Sequence, residues 1–198
     1  ESEAAMVMTM RMARAMDSRA DAHEDALVRL FTAVGKYWIC KRTPNHAYEA
    51  MECIGGSGVM EDSPFPRLFR ESPVNAIWEG SGNVICLDVL RALAKEPGSL
   101  DVLLAEIRAG ADPRLDACAQ RITTQLASGD TVELGARRIV GDMARGLEAS
   151  LLARTAPPAI AEAFLASRCD GDGGPVFGEL PPASDFRTIL ERAAPALG

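Results

Sequence analysis

Glu79 is a candidate for acid–base chemistry because this carboxylate stands behind a large aromatic residue and inside a run of small residues. The stretch is Ile77-Trp78-Glu79-Gly80-Ser81-Gly82-Asn83. An apolar pattern at helical spacing begins at Val84, so the carboxylate lies at a turn that leads into a helix. The flanking glycines and serine leave room for a flat ligand and offer backbone N–H groups to it. A simpler interpretation is that Glu79 only favours a helix N-terminus, where the macrodipole stabilises an anion.

The composition is that of an ordinary globular protein. The 198 residues allow one domain or two small ones, and a hydrophobic fraction of 47% is enough for a core. The net charge of −7 argues against a module that grips nucleic acid by bulk positive charge. Because 18 of the 21 basic residues are arginine, the sequence still allows a local patch of arginines on the surface.

The cysteines and histidines predict neither a metal site nor disulfides. The five cysteines form no C-x-x-C pair and are predicted to be free, buried thiols in a reducing cytoplasm. The two histidines, His23 and His46, are too few for a histidine-based metal cluster or catalytic triad. Asp172-x-Gly-Gly lacks the regular acidic spacing of a calcium loop. No apolar run is long enough for a membrane span, and no secretory signal opens the chain.

Helical periodicity and the absence of strand-like alternation predict an all-α fold. The first part has a Met-rich helix whose methionines are expected to fill the core, and a second helix that should end before Thr43-Pro44. Four helices are predicted there in all: 3–17, 27–42, Ala47–Ile54 capped by Asn45 and ended by Gly55-Gly56, and Ser81–Ala94. Residues 57–76 are predicted to be irregular, apart from a short helical turn at Arg67–Arg70.

Lys95-Glu96-Pro97-Gly98 is the predicted boundary between two domains, residues 1–96 and 97–198. The second part should consist of five further helices. Their predicted starts are Ser99, Asp112 with Pro113 in the first turn, a capping box Asp130-x-x-Glu133, Pro157-Pro158, and Ser184.

A second Gly-rich block lies upstream of Glu79 at close range. Glu52-Cys53-Ile54-Gly55-Gly56-Ser57-Gly58-Val59 is followed by Arg67-Leu68-Phe69-Arg70. Together, residues 48–88 resemble the C-terminal domain of acyl-CoA dehydrogenases. The version SPVNAIWEGSGNVICLDVL resembles the alkylation-response (AidB-like) branch of that superfamily. The resemblance implies a helical bundle with a helical C-terminal extension, and a chain that is part of a longer protein with a helical domain and a β domain before it.

The resemblance also implies a chemistry and a set of residues. In the family a flavin accepts a hydride from the β carbon of an acyl-CoA thioester while a carboxylate removes the α proton. Glu79 falls on the base position, and its backbone N–H on a donor to the thioester oxygen. The residues that fall on FAD-contacting positions are Trp78, Gly80, Ser81 and Asn83, and also Gly55 and Gly56, where a neighbouring subunit's backbone approaches the cofactor. Glu52 stands where many members have Gln, and Arg70 is expected in a structural ion pair.

Three functions stay open at this point. The first is a flavin-dependent acyl-CoA dehydrogenase, with FAD held by the full-length protein and absent from this chain alone. The second is a DNA-associated stress protein with little dehydrogenase activity, whose DNA binding through this chain would be weak. The third is a catalytically silent helical oligomerisation module. Glu79 favours the first, and the long extension after Pro97 favours the branch assignment behind the second. The family also implies a homotetramer or dimer and an electron-accepting flavoprotein partner.

Overall fold

The structure is a computed structural model that describes residues 1–171 and 176–194. Within those ranges the secondary structure is entirely helical, which confirms the predicted all-α fold. The α-helices are α1 (Ser2–Asp17), α2 (Ala22–Cys53), α3 (Phe65–Glu71), α4 (Gly82–Lys95), α5 (Gly98–Arg108), α6 (Pro113–Leu126), α7 (Ala136–Thr155), α8 (Pro158–Arg168) and α9 (Phe186–Ala193). Three 3-10 segments, Gly55–Val59, Ser72–Ala76 and Gly129–Gly135, lie between them.

Helices α2 and α7 organise the core. Helix α7 packs against α1, α2, α4, α5, α6 and α8, and most of its middle is buried. Helix α1 lies against α2. One continuous hydrophobic cluster contains residues from both sides of Lys95–Gly98, for example Phe31 and Leu147. The division into two domains at that point therefore stays a prediction.

Helix α2 corrects the predicted end before Thr43-Pro44, because it continues through Pro44 to Cys53. Proline at this position has no N–H for the Cys40 carbonyl, which is why a break was expected. The Thr43 hydroxyl donates to the Ile39 carbonyl at 2.7 Å, so the turn before the proline is held by a side chain. Asn45 consequently lies inside the helix and caps nothing.

Two of the predicted helix starts are confirmed by their caps. The Asp112 carboxylate accepts from the N–H of Arg114 at 2.9 Å, with Pro113 as the first residue of α6. Helix α8 begins at Pro158, as the double proline indicates.

Three other predicted starts are wrong. Ser99 lies inside α5, where its hydroxyl donates back to the Glu96 carbonyl at 2.6 Å. The expected capping box at Asp130 falls in the 3-10 segment Gly129–Gly135, and α7 begins only at Ala136. Asp185, not Ser184, caps α9 by accepting from the N–H of Thr188. The serines and acidic residues predicted the approximate position of each helix start but not the capping residue itself.

The methionines of α1 divide between the core and the surface. Met8 is fully buried between Ala4 and Ala15 on one face, but Met6 and Met10 are 57% and 64% exposed. The prediction that the Met stripe fills the core is therefore wrong for the outer face. The prediction of buried thiols likewise holds for Cys86 and Cys118 but not for Cys53, which is exposed. Asp172 lies outside the described residues.

A part-buried ionic cluster joins the two parts of the chain. Glu106 of α5 accepts from Arg11 of α1 at 3.1 Å and from Arg154 of α7, and Arg11 also pairs with Glu24 of α2. Burial alone would raise the pKa of Glu106, but the hydrogen bonds from Arg11 and Arg154 lower it below its ordinary value. The cluster links α1, α2, α5 and α7. Two of these helices, α2 and α7, carry residues that contact the candidate site.

Candidate functional site

Lys36 holds the loop that carries Glu79. This lysine lies in the middle of α2, and its Nζ donates to the carbonyl oxygens of Trp78 at 3.0 Å and Gly80 at 2.6 Å. These two carbonyls flank Glu79 on either side. Two charge-assisted hydrogen bonds from one ammonium group therefore pin the backbone before and after the candidate base.

The backbone at Glu79 is strained. Glu79 has a φ of 54°, in the left-handed region that side-chain-bearing residues rarely adopt, and Gly80 follows at 125°. Such strain persists only where surrounding contacts impose it, and it concentrates at functional sites. Here the backbone is held by the hydrogen bonds from Lys36 and by the start of α4 three residues later.

Both the side chain and the amide of Glu79 are available to a ligand. The Glu79 side chain is exposed, and it makes no hydrogen bond or ion pair with the residues that the structure describes. The Trp78 N–H donates to the Val74 carbonyl at 3.0 Å, whereas the Glu79 N–H finds no acceptor in those same ranges. The simpler interpretation, that Glu79 only favours a helix N-terminus, stays open: α4 begins three residues later, and Glu79 accepts no hydrogen bond from its first turn among the described residues.

The residues around Glu79 present an apolar face with polar side chains at its edge. Trp78 and Ile77 are 59% and 63% exposed, and Val84 is 55% exposed. Ser81 and Asn83 are exposed beside them at the start of α4. An aromatic face next to free backbone N–H groups can hold a flat, phosphate-bearing cofactor.

Arg137 connects the extension to this site. It lies in the first turn of α7, and its Nε donates to Asn83 Oδ1 at 2.6 Å. A Cβ at Gly82 would lie 3.4 Å from one Arg137 nitrogen, so the guanidinium sits directly over the start of α4. Sequence reasoning missed both Arg137 and Lys36, because they are 54 and 42 residues distant from their partners and no local pattern marks them.

Gly55 and Gly56 lie apart from the Glu79 loop. They open the 3-10 segment that follows α2, roughly 25 Å along the helix axis from Lys36 at 1.5 Å per residue. Gly55 has a left-handed φ of 68°, and a Cβ added at either glycine would meet nothing within 4 Å. The glycine pair thus leaves open space above an exposed backbone, where another molecule can approach closely.

Arg70, in the arginine segment between the two blocks, makes a surface ion pair. Arg70 of α3 makes a two-point ion pair with Glu61, with nitrogen–oxygen distances of 2.5 and 3.1 Å, as expected. The hydrogen bond from Arg70 lowers the pKa of Glu61. Glu52 is exposed in the last turn of α2.

Neither a metal centre nor a membrane span stands out in the described ranges. In residues 1–171 and 176–194, no three His, Cys, Asp or Glu side chains come together as metal ligands. No helix of that part of the chain combines the length and the apolar character needed to cross a bilayer.

The sequence of this chain matches a known protein family and two curated proteins. The family model described as "Acyl-CoA dehydrogenase, C-terminal domain" matches residues 1–94. The chain is 44% identical to the putative acyl-CoA dehydrogenase AidB of Escherichia coli (strain K12) over 176 residues, which are 87% of the chain and 32% of AidB. It is 43% identical over 82 residues to acyl-CoA dehydrogenase family member 11 of Caenorhabditis elegans, 41% of the chain and 13% of that protein.

Two solved structures share the fold. Bd2924 in its apo form aligns with a TM-score of 0.66 at 28% identity, over 76% of this chain and 30% of that one. Caenorhabditis elegans ACDH-11 in complex with C11-CoA aligns with a TM-score of 0.71 at 22% identity, over 96% of this chain and 37% of that one. The chain thus spans about a third of the length of AidB and of these two proteins. Residues 1–94 match the C-terminal domain of acyl-CoA dehydrogenases, and the chain belongs to the acyl-CoA dehydrogenase superfamily.

Proposed function

We propose that this chain is the C-terminal part of an FAD-dependent acyl-CoA dehydrogenase-like protein, in which Glu79 removes the α proton of an acyl-CoA thioester. The observation that carries the proposal is the state of Glu79. Its carboxylate and its amide are both without a partner among the described residues, and its left-handed backbone is fixed by Lys36. Strained backbone of this kind concentrates at functional sites, and the exposed Glu79 carboxylate and amide are available to a ligand.

The two free groups of Glu79 suit the two demands of the reaction. An α proton next to a thioester is weakly acidic, so the carboxylate must lie within hydrogen-bond reach of it in the bound complex. Negative charge develops on the thioester oxygen as the proton leaves, and the Glu79 N–H is a donor to that oxygen. Because Lys36 holds the carbonyls of Trp78 and Gly80, on either side of Glu79, the base and the donor keep one relative position.

The residues beside Glu79 fit a flavin. FAD, when bound, supplies the acceptor for the hydride from the β carbon. Trp78 offers its exposed ring to the flavin, and Gly80, Ser81 and Asn83 lie along the same edge at the start of α4. Gly55 and Gly56 offer open backbone to the FAD of a neighbouring subunit, in a tetramer or dimer.

The substrate class follows from the family and from one relative. The structure of ACDH-11 is a complex with C11-CoA. We propose an acyl-CoA for this protein as well, and an electron-accepting flavoprotein as the partner that reoxidises the cofactor. We also place the protein in the cytoplasm.

Replacing Glu79 with Gln in the full-length protein tests the proposal. The amide keeps the shape of the side chain and loses the basic oxygen, so turnover of acyl-CoA with an artificial electron acceptor should fall by about 10²- to 10⁴-fold. The flavin absorbance should persist, because the cofactor does not depend on that oxygen. Glu71→Gln, an exposed carboxylate at the end of α3, is the matched control and should keep its activity. Unchanged turnover in Glu79→Gln would mean that another group is the base.

A further inference from the structure

A small cavity lies where α7 meets the start of α1 and the middle of α2. It has a volume of about 160 Å³, close to the roughly 150 Å³ of an engineered protein cavity that holds one benzene molecule. Its walls are mostly apolar and include Ala5, Trp38 and Ile39, and Glu148 of α7 lies among them. None of the residues proposed for the acyl-CoA or the flavin lines this cavity.

The carboxyl group of Glu148 has one oxygen without a partner. Glu148 is only 2% exposed, and its Oε2 accepts from Trp38 Nε1 at 3.0 Å. Its Oε1 accepts no hydrogen bond from residues 1–171 and 176–194, although buried polar atoms are nearly always satisfied. This oxygen is not sealed off by protein atoms, and Glu148 lines the cavity. Oε1 therefore faces the open space, where a ligand can reach it.

The arginines near Glu148 are paired with other carboxylates. Arg42 pairs with Glu1 at 3.0 Å, and Arg145 pairs with Asp142. Burial, reinforced by the charge of Glu1, raises the pKa of Glu148 to about 8, and the opposing charges of Arg42 and the chain's amino group do not cancel this increase. Because a buried carboxylate is stable only when it is paired, a cation placed in the cavity would stabilise the ionised form of Glu148.

We propose that this cavity binds a small primary alkylammonium ion, which donates to Glu148 and lays its alkyl chain against Ala5, Trp38 and Ile39. An ammonium group supplies both the hydrogen-bond donor and the charge that Glu148 Oε1 lacks, and such charge-assisted bonds are about twice as strong as neutral ones. The size of the cavity limits the ligand to about six heavy atoms. The inference goes beyond the proposed function and does not depend on dehydrogenation.

Isothermal titration calorimetry of the 198-residue chain with n-butylammonium tests the proposal. At about pH 8.5 most of Glu148 is ionised, and an alkylammonium with a lysine-like pKa of about 10.4 is still charged. n-Butanol keeps the alkyl chain and a donor but has no charge, so it should bind about tenfold more weakly or worse. Butyrate, with the opposite charge, should not bind. The other titratable side chains of the cavity wall, Glu1, Arg42 and His46, are the same for every probe.

Three variants locate the binding in the cavity. Glu148→Gln keeps the shape of the side chain and an acceptor for Trp38, but it loses the charge and should weaken butylammonium binding about tenfold or more. Ala5→Leu fills the cavity and leaves Glu148 in place, and it should weaken binding to a similar extent. Glu133→Gln removes an exposed carboxylate outside the cavity and should leave the affinity unchanged. Circular dichroism checks folding, and Ala5→Leu provides the test if Glu148→Gln unfolds.

A further probe identifies the source of the ammonium group, because a lysine side chain ends in the same butylammonium unit. Equal or tighter binding of a short lysine-containing peptide supports a protein's lysine as the ligand, whereas binding of the free amine alone supports a small metabolite. Absence of saturable butylammonium binding at millimolar concentration overturns the proposal. Equal affinity for n-butanol, or unchanged affinity in Glu148→Gln, overturns it as well.

Discussion

Lys36 Nζ lies 2.6 Å from the carbonyl oxygen of Gly80, and this contact joins the middle of α2 to the residue that follows the candidate base. The same ammonium reaches the Trp78 carbonyl at 3.0 Å. The loop that carries Glu79 is therefore held by a side chain 43 residues earlier in the chain, in addition to its connection to α4. Loss of that ammonium should release the loop without touching the base itself.

Lys36→Met in the full-length protein should lower the kcat of the proposed acyl-CoA dehydrogenation about tenfold or more, with a smaller change in KM. Methionine keeps an unbranched side chain only one heavy atom shorter but cannot donate to the two carbonyls, so Glu79 spends less time in the productive geometry. Steady-state kinetics measures the effect, and Lys95→Met, in the exposed last turn of α4, is the control. An unchanged kcat in Lys36→Met would show that the loop is held by other contacts.

Local patterns predicted the elements of this fold well and their junctions less well. The start of α6 at Asp112 and Pro113 was predicted correctly because the capping signal lies within the first turn of one helix. The break at Pro44 was wrong because packing on both ends of α2 outweighs the loss of one backbone hydrogen bond. Met6 and Met10 were assigned to the core because composition does not show that the neighbouring helices cover only one face of α1.

For the candidate site, the sequence predicted the turn at Glu79 but not its supports. The run of Gly and Ser residues predicted a loop before a helix, and α4 begins at Gly82. The contacts from Lys36 and Arg137 join positions far apart in the chain, and only the packing of α2 and α7 against α4 brings them together. A single sequence carries no periodic signal for such pairs.

The stability of the chain should fall as pH rises from about 4.5 to about 8, through the carboxyl group of Glu148. This α7 residue is only 2% exposed and accepts from Trp38 Nε1 at 3.0 Å. Burial, reinforced by the nearby charge of Glu1, raises the pKa of Glu148 to about 8. The folded state therefore keeps a proton that the unfolded chain, with an ordinary glutamate pKa of about 4.3, releases, and folding is penalised between those values by at most about 1.4 kcal/mol per pH unit.

Glu148→Gln should remove this dependence, because the amide stays neutral and still accepts from the Trp38 N–H. Urea unfolding at pH 5 and pH 8 should show the variant gaining stability over the original chain as pH rises. Glu133→Gln, at an exposed position before α7, controls for the loss of one carboxylate and should follow the original profile. Parallel pH profiles for Glu148→Gln and the original chain would rule out a buried, protonated Glu148.

The chain should self-associate at micromolar concentration. The outer face of α1 exposes Met6 and Met10, and the Glu79 loop exposes Trp78 and Ile77, so several large apolar side chains are in contact with solvent. Burying them against a second copy removes apolar surface from water. Multi-angle light scattering should report a dimer or tetramer, and Met10→Glu should shift it toward monomer. Gln120→Glu, which adds the same charge on the exposed face of α6, should not; a monomeric original chain would contradict the prediction.

Duplex DNA should bind this chain weakly or not at all at physiological salt. Residues 95–198 carry 11 basic and 15 acidic residues, a net charge of −4 that opposes a polyanion. The arginines of that part are also largely engaged: Arg114 pairs with Asp112 and Glu162, Arg121 and Arg145 with Asp142, and Arg154 with Glu106.

An arginine held by a carboxylate must give up that partner to contact a phosphate, so each such contact gains less than a free cation would provide. Fluorescence anisotropy with a labelled duplex at about 0.15 M salt, where charges are screened beyond about 8 Å, should show no saturation at micromolar protein. Arg138 makes no ion pair among the described residues. If DNA binds only at low salt and more weakly in Arg138→Gln, the binding comes from such unpaired arginines. Sub-micromolar binding at 0.15 M would contradict the prediction and would favour a DNA-associated function over the enzymatic one.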